Sequence, residues 1–176
     1  MTKNVAVLLG YFNGERYISS QIKSIFNQDY KDFDIYIFDD ASESKFDISQ
    51  LNFNNAQKQK IKIKNRDKNV GYAYNFLEGL KSLPNNYKYY CFSDQDDIWM
   101  SFKLSTAINK IDKFQKQIPC LYGSRTKLVN KNISRTIGYS PCFKGPFNFK
   151  NALIQNFAGG NTMMMNLEAK KLISET

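Results

Sequence analysis

The sequence predicts a single α/β domain: a mainly parallel, Rossmann-like sheet flanked by helices. Three observations predict it. Short apolar runs of strand length alternate with longer stretches whose apolar residues recur every three to four positions. The first run, Val5-Ala6-Val7-Leu8-Leu9, is apolar without interruption, as in a strand covered on both faces. Three runs end in polar clusters, Tyr11-Phe12-Asn13, Asp39-Asp40-Ala41-Ser42 and Asp94-Gln95-Asp96-Asp97, which a parallel sheet would gather on one rim. Strand–helix alternation also implies right-handed crossovers.

Each element follows in order. Gly10 to Gly14 makes a turn, and Glu15 to Asn27 forms a helix with Ile18, Ile22, Ile25 and Phe26 on one stripe. Ile35-Tyr36-Ile37-Phe38 is the second strand, and the polar residues 43–60 are a weak helix or a loop. Ile61-Lys62-Ile63-Lys64 alternates as an edge strand does. Asn69-Val70-Gly71 turns into a helix whose face is Ala73, Phe76, Leu77 and Leu80, ending before Pro84. Tyr89 to Phe92 is the next strand, followed by an amphipathic helix carrying Leu104, Ile108, Ile111 and Phe114. Beyond Pro119 the rhythm changes. Leu121-Tyr122-Gly123 and Thr162 to Asn166 read as short strands, and Leu167 to Ser174 as a helix. The stretch between the two strands, with Pro141, Gly145 and Pro146, reads as a loop with short ordered pieces. Met163-Met164-Met165 fills a buried strand, with a flexible pocket as the alternative. Trp99 either covers the acidic loop or lies in the core. No internal repeat or linker divides the chain.

Composition removes several chemistries. With 176 residues the chain is long enough for one domain with a substantial core. It has no histidine, which excludes Ser-His-Asp and Cys-His catalysis and most zinc sites. Cys91, Cys120 and Cys142 lack CxxC spacing and read as reduced thiols. No apolar stretch approaches the ~20 residues that span a bilayer, and Met1-Thr2-Lys3-Asn4 runs straight into a strand. The expected location is the cytoplasm, with peripheral contact at the inner face of the membrane. Residues 1–100 carry 13 Lys/Arg and 13 Asp/Glu, whereas residues 101–176 carry 12 and 3, which places the net charge of +9 in the second part. A basic half can face nucleic acid, an anionic membrane or a phosphorylated substrate, and the balanced first part argues against nucleic acid. The plain alternative makes Lys103, Lys110, Lys113 and Lys116 the wet face of a helix, and Arg125 and Lys127 a solvated strand end.

The run Tyr89 to Trp99 carries the most chemistry. Three carboxylates arrive within four positions after an apolar strand. Such crowding is unfavourable unless a cation or strong donors neutralise it. Mg²⁺ and Mn²⁺ take oxygen ligands, and Mg²⁺ is held by one or two carboxylates plus substrate phosphates. There is no Walker A motif and no GxGxxG, so no glycine-rich helix start cradles phosphates, and a metal is left to carry a diphosphate. Near it, Phe12 or Tyr11 can stack on a nucleobase while Asp39 or Asp40 accepts a base N–H or a ribose hydroxyl. Taken singly, each cluster also reads as turn chemistry. Together they suit transfer of a sugar from a nucleotide-diphospho-sugar. A divalent ion would neutralise the leaving diphosphate and a carboxylate would deprotonate the acceptor hydroxyl.

The chain resembles the N-terminal part of bacterial family-2 glycosyltransferases of the GT-A fold, in their rhamnosyltransferase-like branch. The resemblance covers essentially the whole chain. It rests on Leu8-Leu9-Gly10-Tyr11-Phe12-Asn13-Gly14-Glu15-Arg16-Tyr17, Ser24-Ile25-Phe26-Asn27-Gln28 and Phe38-Asp39-Asp40-Ala41-Ser42. It continues with Asn69-Val70-Gly71 followed by Asn75, Phe92-Ser93-Asp94-Gln95-Asp96-Asp97-Ile98-Trp99, and Gly159-Gly160-Asn161-Thr162-Met163. The resemblance implies that Asp96 is the main ligand of Mg²⁺ or Mn²⁺, with Asp94 supporting it or touching the ribose. It places Tyr11, Phe12, Asn13, Glu15, Asp39, Asp40, Asn69, Gly71, Asn75, Asp94 and Gln95 around a UDP- or dTDP-linked sugar. It implies inversion by direct displacement onto a glycan or lipid-linked acceptor in surface polysaccharide synthesis. Residues 1–100 would be the nucleotide-sugar part and 101–176 the start of the acceptor-side part, with the catalytic base expected beyond Thr176. Ser101 stands where the family usually has proline. Glu168 and Glu175 are read as solvated helix residues. Two other readings compete: a domain that binds nucleotide-sugar without catalysis, and a haloacid-dehalogenase-like phosphatase, whose Asp-x-Asp motif Phe92-Ser93-Asp94-Gln95-Asp96 matches superficially.

Overall fold

Alternation along the first strand organises the whole molecule. β1 (Val5–Tyr11) sends Val5, Val7, Leu9 and Tyr11 into one hydrophobic core, and Ala6 and Leu8 into a second on the opposite face. A strand with two buried faces has no polar positions to spare, which is why its sequence lacks alternation. The computed structural model describes residues 4–145, 147–148, 150 and 154–175. Met1 to Lys3, Pro146 and Thr176, which enter the expectations above, lie outside the described residues.

β2 (Phe33–Asp39), β3 (Ile61–Asn65) and β4 (Tyr89–Ser93) join β1 in one sheet. Short β5 (Leu121–Tyr122) and β8 (Met164–Asn166) complete it in the order β3-β2-β1-β4-β8-β5. The first four strands are parallel, while β8 runs antiparallel to both β4 and β5. β6 (Lys127–Val129) and β7 (Thr136–Tyr139) form a separate antiparallel ribbon.

Helices α1 (Glu15–Phe26) and α4 (Lys103–Ile111) cover one face. They bury Ile18, Ile22, Ile25, Leu104 and Ile108 in the first core, with α4 lying against β5 and β8. α3 (Tyr72–Ser82) and α5 (Leu167–Ser174) cover the other with Leu80 and Ala169. Between β2 and β3 the polar segment forms a 3₁₀ turn at Ile48–Gln50 and the single-turn α2 (Asn55–Lys58). That segment anchors through Phe46 and Phe53, both buried.

Several expectations shift by a residue or a face. The apolar stripe of α3 is Phe76, Gly79 and Leu80 rather than Ala73 and Leu77, because residue 77 lies about 100° around the helix from residue 76. Gly79 permits the close approach, since a Cβ there would sit 3.2 Å from the Phe38 ring. α4 ends at Ile111, so Phe114 is exposed; Asp112, just past that end, accepts a hydrogen bond from the Tyr89 hydroxyl. Met164 and Met165 enter opposite cores, as a strand buried on both faces requires, and Trp99 lies in the first core. No described helix is long and apolar enough to cross a membrane.

Candidate functional site

The strand order places the site. From β1 the chain moves outward to β2 and β3, then crosses back to β4 on the other side of β1. The carboxyl ends of β1 and β4 therefore flank a topological switch point, where open α/β sheets bind ligands.

Gln95 spans that point. Its Oε1 accepts from the Phe12 backbone N–H (2.8 Å) and its Nε2 donates to the Phe12 carbonyl (3.1 Å). Gly14 makes room for this bridge, because a Cβ there would lie 2.2 Å from Gln95 Oε1. The Phe12 ring is left 44% exposed, whereas Tyr11 is 2% exposed and packs on Phe46 with ring centroids 5.1 Å apart. Of the two aromatics expected to face a base, only Phe12 is presented. Burial, and a hydrogen bond with the exposed Glu15, push the Tyr11 hydroxyl up to about 12.

The second strand end is tied to the first. Asn13 N–H donates to Ser42 Oγ (2.9 Å), and Glu43 N–H donates to Asn13 Oδ1 (2.9 Å). Asn13 and Ala41 both hold left-handed backbone, at φ 46° and 62°. Such conformations cost an L-residue roughly 1–2 kcal/mol and persist where their surroundings impose them. The buried Asp39 carboxylate accepts from Ser42 N–H (2.9 Å), Ser42 Oγ (2.6 Å) and Phe46 N–H (3.2 Å). Asp40, also buried, accepts from the N–H groups of Val70 and Gly71 at 2.9 Å each. Both aspartates thus organise loops at the end of β2.

Asn69 is exposed and accepts from Gly71 N–H (3.1 Å), while Gly71 uses a φ of 82° to start α3. Asn75 is buried, donating to Phe38 O (2.9 Å) and accepting from Arg66 Nε (2.8 Å).

At the third strand end the carboxylates press on one another. Burial raises Asp94 to about 6, with Asp97 and then Asp96 adding to the shift. Asp97 is raised as well, chiefly by burial, while Asp96 is exposed. No trio of His, Cys, Asp or Glu converges on one point among the described residues. A Mg²⁺ or Mn²⁺ ion completed by substrate phosphates needs only one or two carboxylates, and excess negative charge of this kind is what a cation relieves. The donor set fits such an ion.

A cleft of about 670 Å³ opens beside this loop. Asp96 and Asp97 line it at the acidic loop, and Lys127, Lys131 and Arg135 line it from the β6–β7 ribbon. Arg125 is partly committed, donating from Nε to Ser140 O (2.8 Å) and lying 5.2 Å from the Tyr139 ring centroid.

Sequence reasoning missed the polar side of α1. Gln21, Ser24 and Gln28 lie at helical spacing among the apolar positions, and all three are buried. Gln21 bonds Ser93 Oγ (2.6 Å), Ser24 Oγ accepts from Trp99 N–H (3.0 Å), and Gln28 joins Met100 O (2.8 Å) and Leu104 N–H (3.0 Å). These residues hold both ends of the acidic loop. The available signal was three polar side chains on the stripe that Ile18, Ile22 and Ile25 bury. Lys103 was misplaced too: Lys110, Lys113 and Lys116 are exposed, but Lys103 turns inward to Asn161 O (3.1 Å). Glu168 pairs with Lys171 (2.8 Å) on α5, which starts beyond the amino ends of the parallel strands, at the edge opposite the site.

The family model described as Glycosyl transferase family 2 matches residues 6–170. The chain belongs to glycosyl transferase family 2. Among curated relatives it is 36% identical over 139 residues to the dTDP-rhamnosyl transferase RfbG of Shigella flexneri, covering 71% of this chain and 46% of that protein. It is 27% identical over 128 residues to the Escherichia coli enzyme WfgD, named a UDP-Glc:alpha-D-GlcNAc-diphosphoundecaprenol beta-1,3-glucosyltransferase, covering 73% and 47%. The chain thus spans about half the length of these relatives. The S. aureus TarS 1–349 structure in complex with UDP-GlcNAc shares the fold, with TM-score 0.52 and 23% identity, over 62% of this chain and 31% of that one. The sheet and its helical covers are those of a GT-A glycosyltransferase, and family membership removes the phosphatase alternative.

Proposed function

We propose that this family-2 domain binds a UDP- or dTDP-linked sugar at the β1–β4 switch point and presents it for metal-assisted, inverting transfer in surface polysaccharide synthesis. The observation that carries the reading is the exposed Phe12 ring held beside the acidic loop by the Gln95 bridge, at the crevice where the fold binds ligands. Phe12 stacks on the base, and Asn13 and Asn69 border the nucleoside. Asp96 and Asp94 hold Mg²⁺ or Mn²⁺, which when bound neutralises the leaving diphosphate and orients it. The polar stripe of α1 fixes the loop that carries those carboxylates. RfbG is named for a dTDP-linked donor and WfgD for a UDP-linked one, and both nucleotides enter the test.

The acceptor enters through the cleft between the acidic loop and the β6–β7 ribbon. Lys127, Lys131 and Arg135 give that wall a positive charge, which favours an anionic glycan or lipid-linked acceptor and peripheral contact with a membrane. No described carboxylate is assigned as the base that deprotonates the acceptor.

The test is titration of UDP and dTDP with and without Mn²⁺, followed by Trp99 fluorescence and by calorimetry. Saturable binding strengthened by the metal is expected, and loss of the Phe12 ring in Phe12→Ala is expected to weaken it about 5- to 150-fold, from the ~1–3 kcal/mol of base–aromatic stacking. Absence of heat and of fluorescence change with either nucleotide overturns the reading.

A further inference from the structure

Two side chains hold the acidic loop from outside the strand ends. Asn161 lies in the 3₁₀ turn Gly160–Thr162 that leads into β8. Its amide Nδ2 donates to Asp97 Oδ2, and its backbone carbonyl accepts from Lys103 Nζ at 3.1 Å. The Lys103 ammonium also sits 4.8 Å from the Trp99 ring centroid. One lysine and one asparagine therefore join the β8 turn, the first residue of α4, and two residues of the acidic loop.

The turn is built to keep Asn161 in place. Thr162 Oγ1 donates to Gly159 O (2.8 Å), and Phe92 N–H donates to Met163 O (3.2 Å). A Cβ at Gly159 would lie 2.9 Å from Asn161 Oδ1, so a side chain there would press on the amide.

Lys103 is an expensive choice for a purely structural role. Burial pushes its ammonium down, and Asp97 is among the groups that offset this. An apolar side chain of similar volume would fill the same space without desolvating a charge. Asp97, with one carboxylate oxygen engaged by Asn161, still lines the cleft.

We propose that Lys103 and Asn161 are positioning residues of the transfer site, fixing Asp97 and Trp99 and through them the geometry at which the acidic loop meets the donor's diphosphate. The inference rests on the reading of this crevice as a metal–nucleotide site. Lys103 and Asn161 act one step removed, through Asp97 beside the proposed ligand Asp96, and groups outside a metal's ligands typically change its affinity about 10–100-fold when removed.

The experiment compares UDP binding by calorimetry with and without Mn²⁺, together with melting temperature and Trp99 emission, in four variants of the chain. Asn161→Ala and Lys103→Met are expected to weaken Mn²⁺-dependent UDP binding about 10-fold while leaving metal-free UDP binding within about twofold. Lys103→Met also shifts Trp99 emission. Lys103→Arg retains binding, because a guanidinium still donates to Asn161 O and stacks on the indole. Asn161→Asp is worse than Asn161→Ala, because it sets a carboxylate against Asp97. Metal-dependent binding unchanged in Asn161→Ala and Lys103→Met overturns the proposal. A parallel fall in both affinities and in melting temperature reveals a structural role only and overturns it equally. A wild-type protein that binds UDP in neither condition overturns the nucleotide-sugar reading itself, and this inference with it.

Discussion

Gly14→Ala tests the switch-point bridge directly. Gly14 sits at φ −108° and ψ 24°, which alanine also adopts, so the substitution adds no left-handed strain. The new Cβ instead meets Gln95, 2.2 Å from Oε1 and 2.4 Å from Cδ. The Gln95 amide must withdraw, and both of its hydrogen bonds to Phe12 are lost. At about 0.5–1.5 kcal/mol each, that loss is about 1–3 kcal/mol. The stiffer unfolded chain returns about 0.4–1 kcal/mol, for a net destabilisation of about 1–2 kcal/mol. Urea unfolding followed by the single tryptophan, buried in the core, measures it. The decisive comparison is Gly14→Ala in a Gln95→Ala background, where no amide remains to collide. There the substitution is expected to be neutral or to stabilise by about 0.5 kcal/mol, giving a coupling energy of about 1–3 kcal/mol. Equal destabilisation in both backgrounds would refute the bridge as the reason for glycine at this position.

Two further outcomes follow from buried carboxylates. Asp40→Ala removes the acceptor for the N–H groups of Val70 and Gly71 and is expected to cost about 2–4 kcal/mol in the same unfolding assay, with Asp40→Asn costing less. Asp94 behaves in the opposite sense. A carboxyl whose folded-state pKa is raised to about 6 subtracts stability while ionised, and that stability is regained as pH falls through 6 towards the unfolded value. Asp94→Asn is therefore expected to raise the melting temperature at about pH 7.5, with the gain vanishing by about pH 4. A destabilised Asp94→Asn at neutral pH would contradict that assignment.

Much of the fold was legible because two-face burial leaves a plain mark. Val5 to Leu9 has no polar residue, and the helix stripes repeat at Ile18, Ile22 and Ile25. The direction of β8 was not legible, since three residues carry the pattern of a strand but not its polarity. At the site, the aspartates at the ends of β2 and β4 were visible, but what they touch was not. Asp39 and Asp40 satisfy backbone N–H groups up to 31 residues away, and Gln95 reaches across 83 residues to Phe12. Those partners depend on how loops fold over one another, which no local pattern records. Lys103 illustrates the same limit. By spacing it belongs with Lys110 and Lys113, but the Trp99 ring and the Asn161 carbonyl hold it inward.

The antiparallel β8 also bears on how the chain reaches its native state. Tyr89 to Cys91 pair on one side with Val5 to Val7 and on the other with residues 164–166, more than seventy positions later in synthesis. Until those late residues arrive, the outer edge of β4 is an open row of unpaired N–H and C=O groups ready to recruit another chain. Long-range pairing of this kind is slow to form, so the nascent first hundred residues would pass through an aggregation-exposed interval that ends when β8 docks. The acidic loop at the end of β4 gains its Asn161 contact in that same event. Closing that edge of the sheet and completing this contact of the site depend on the same late segment.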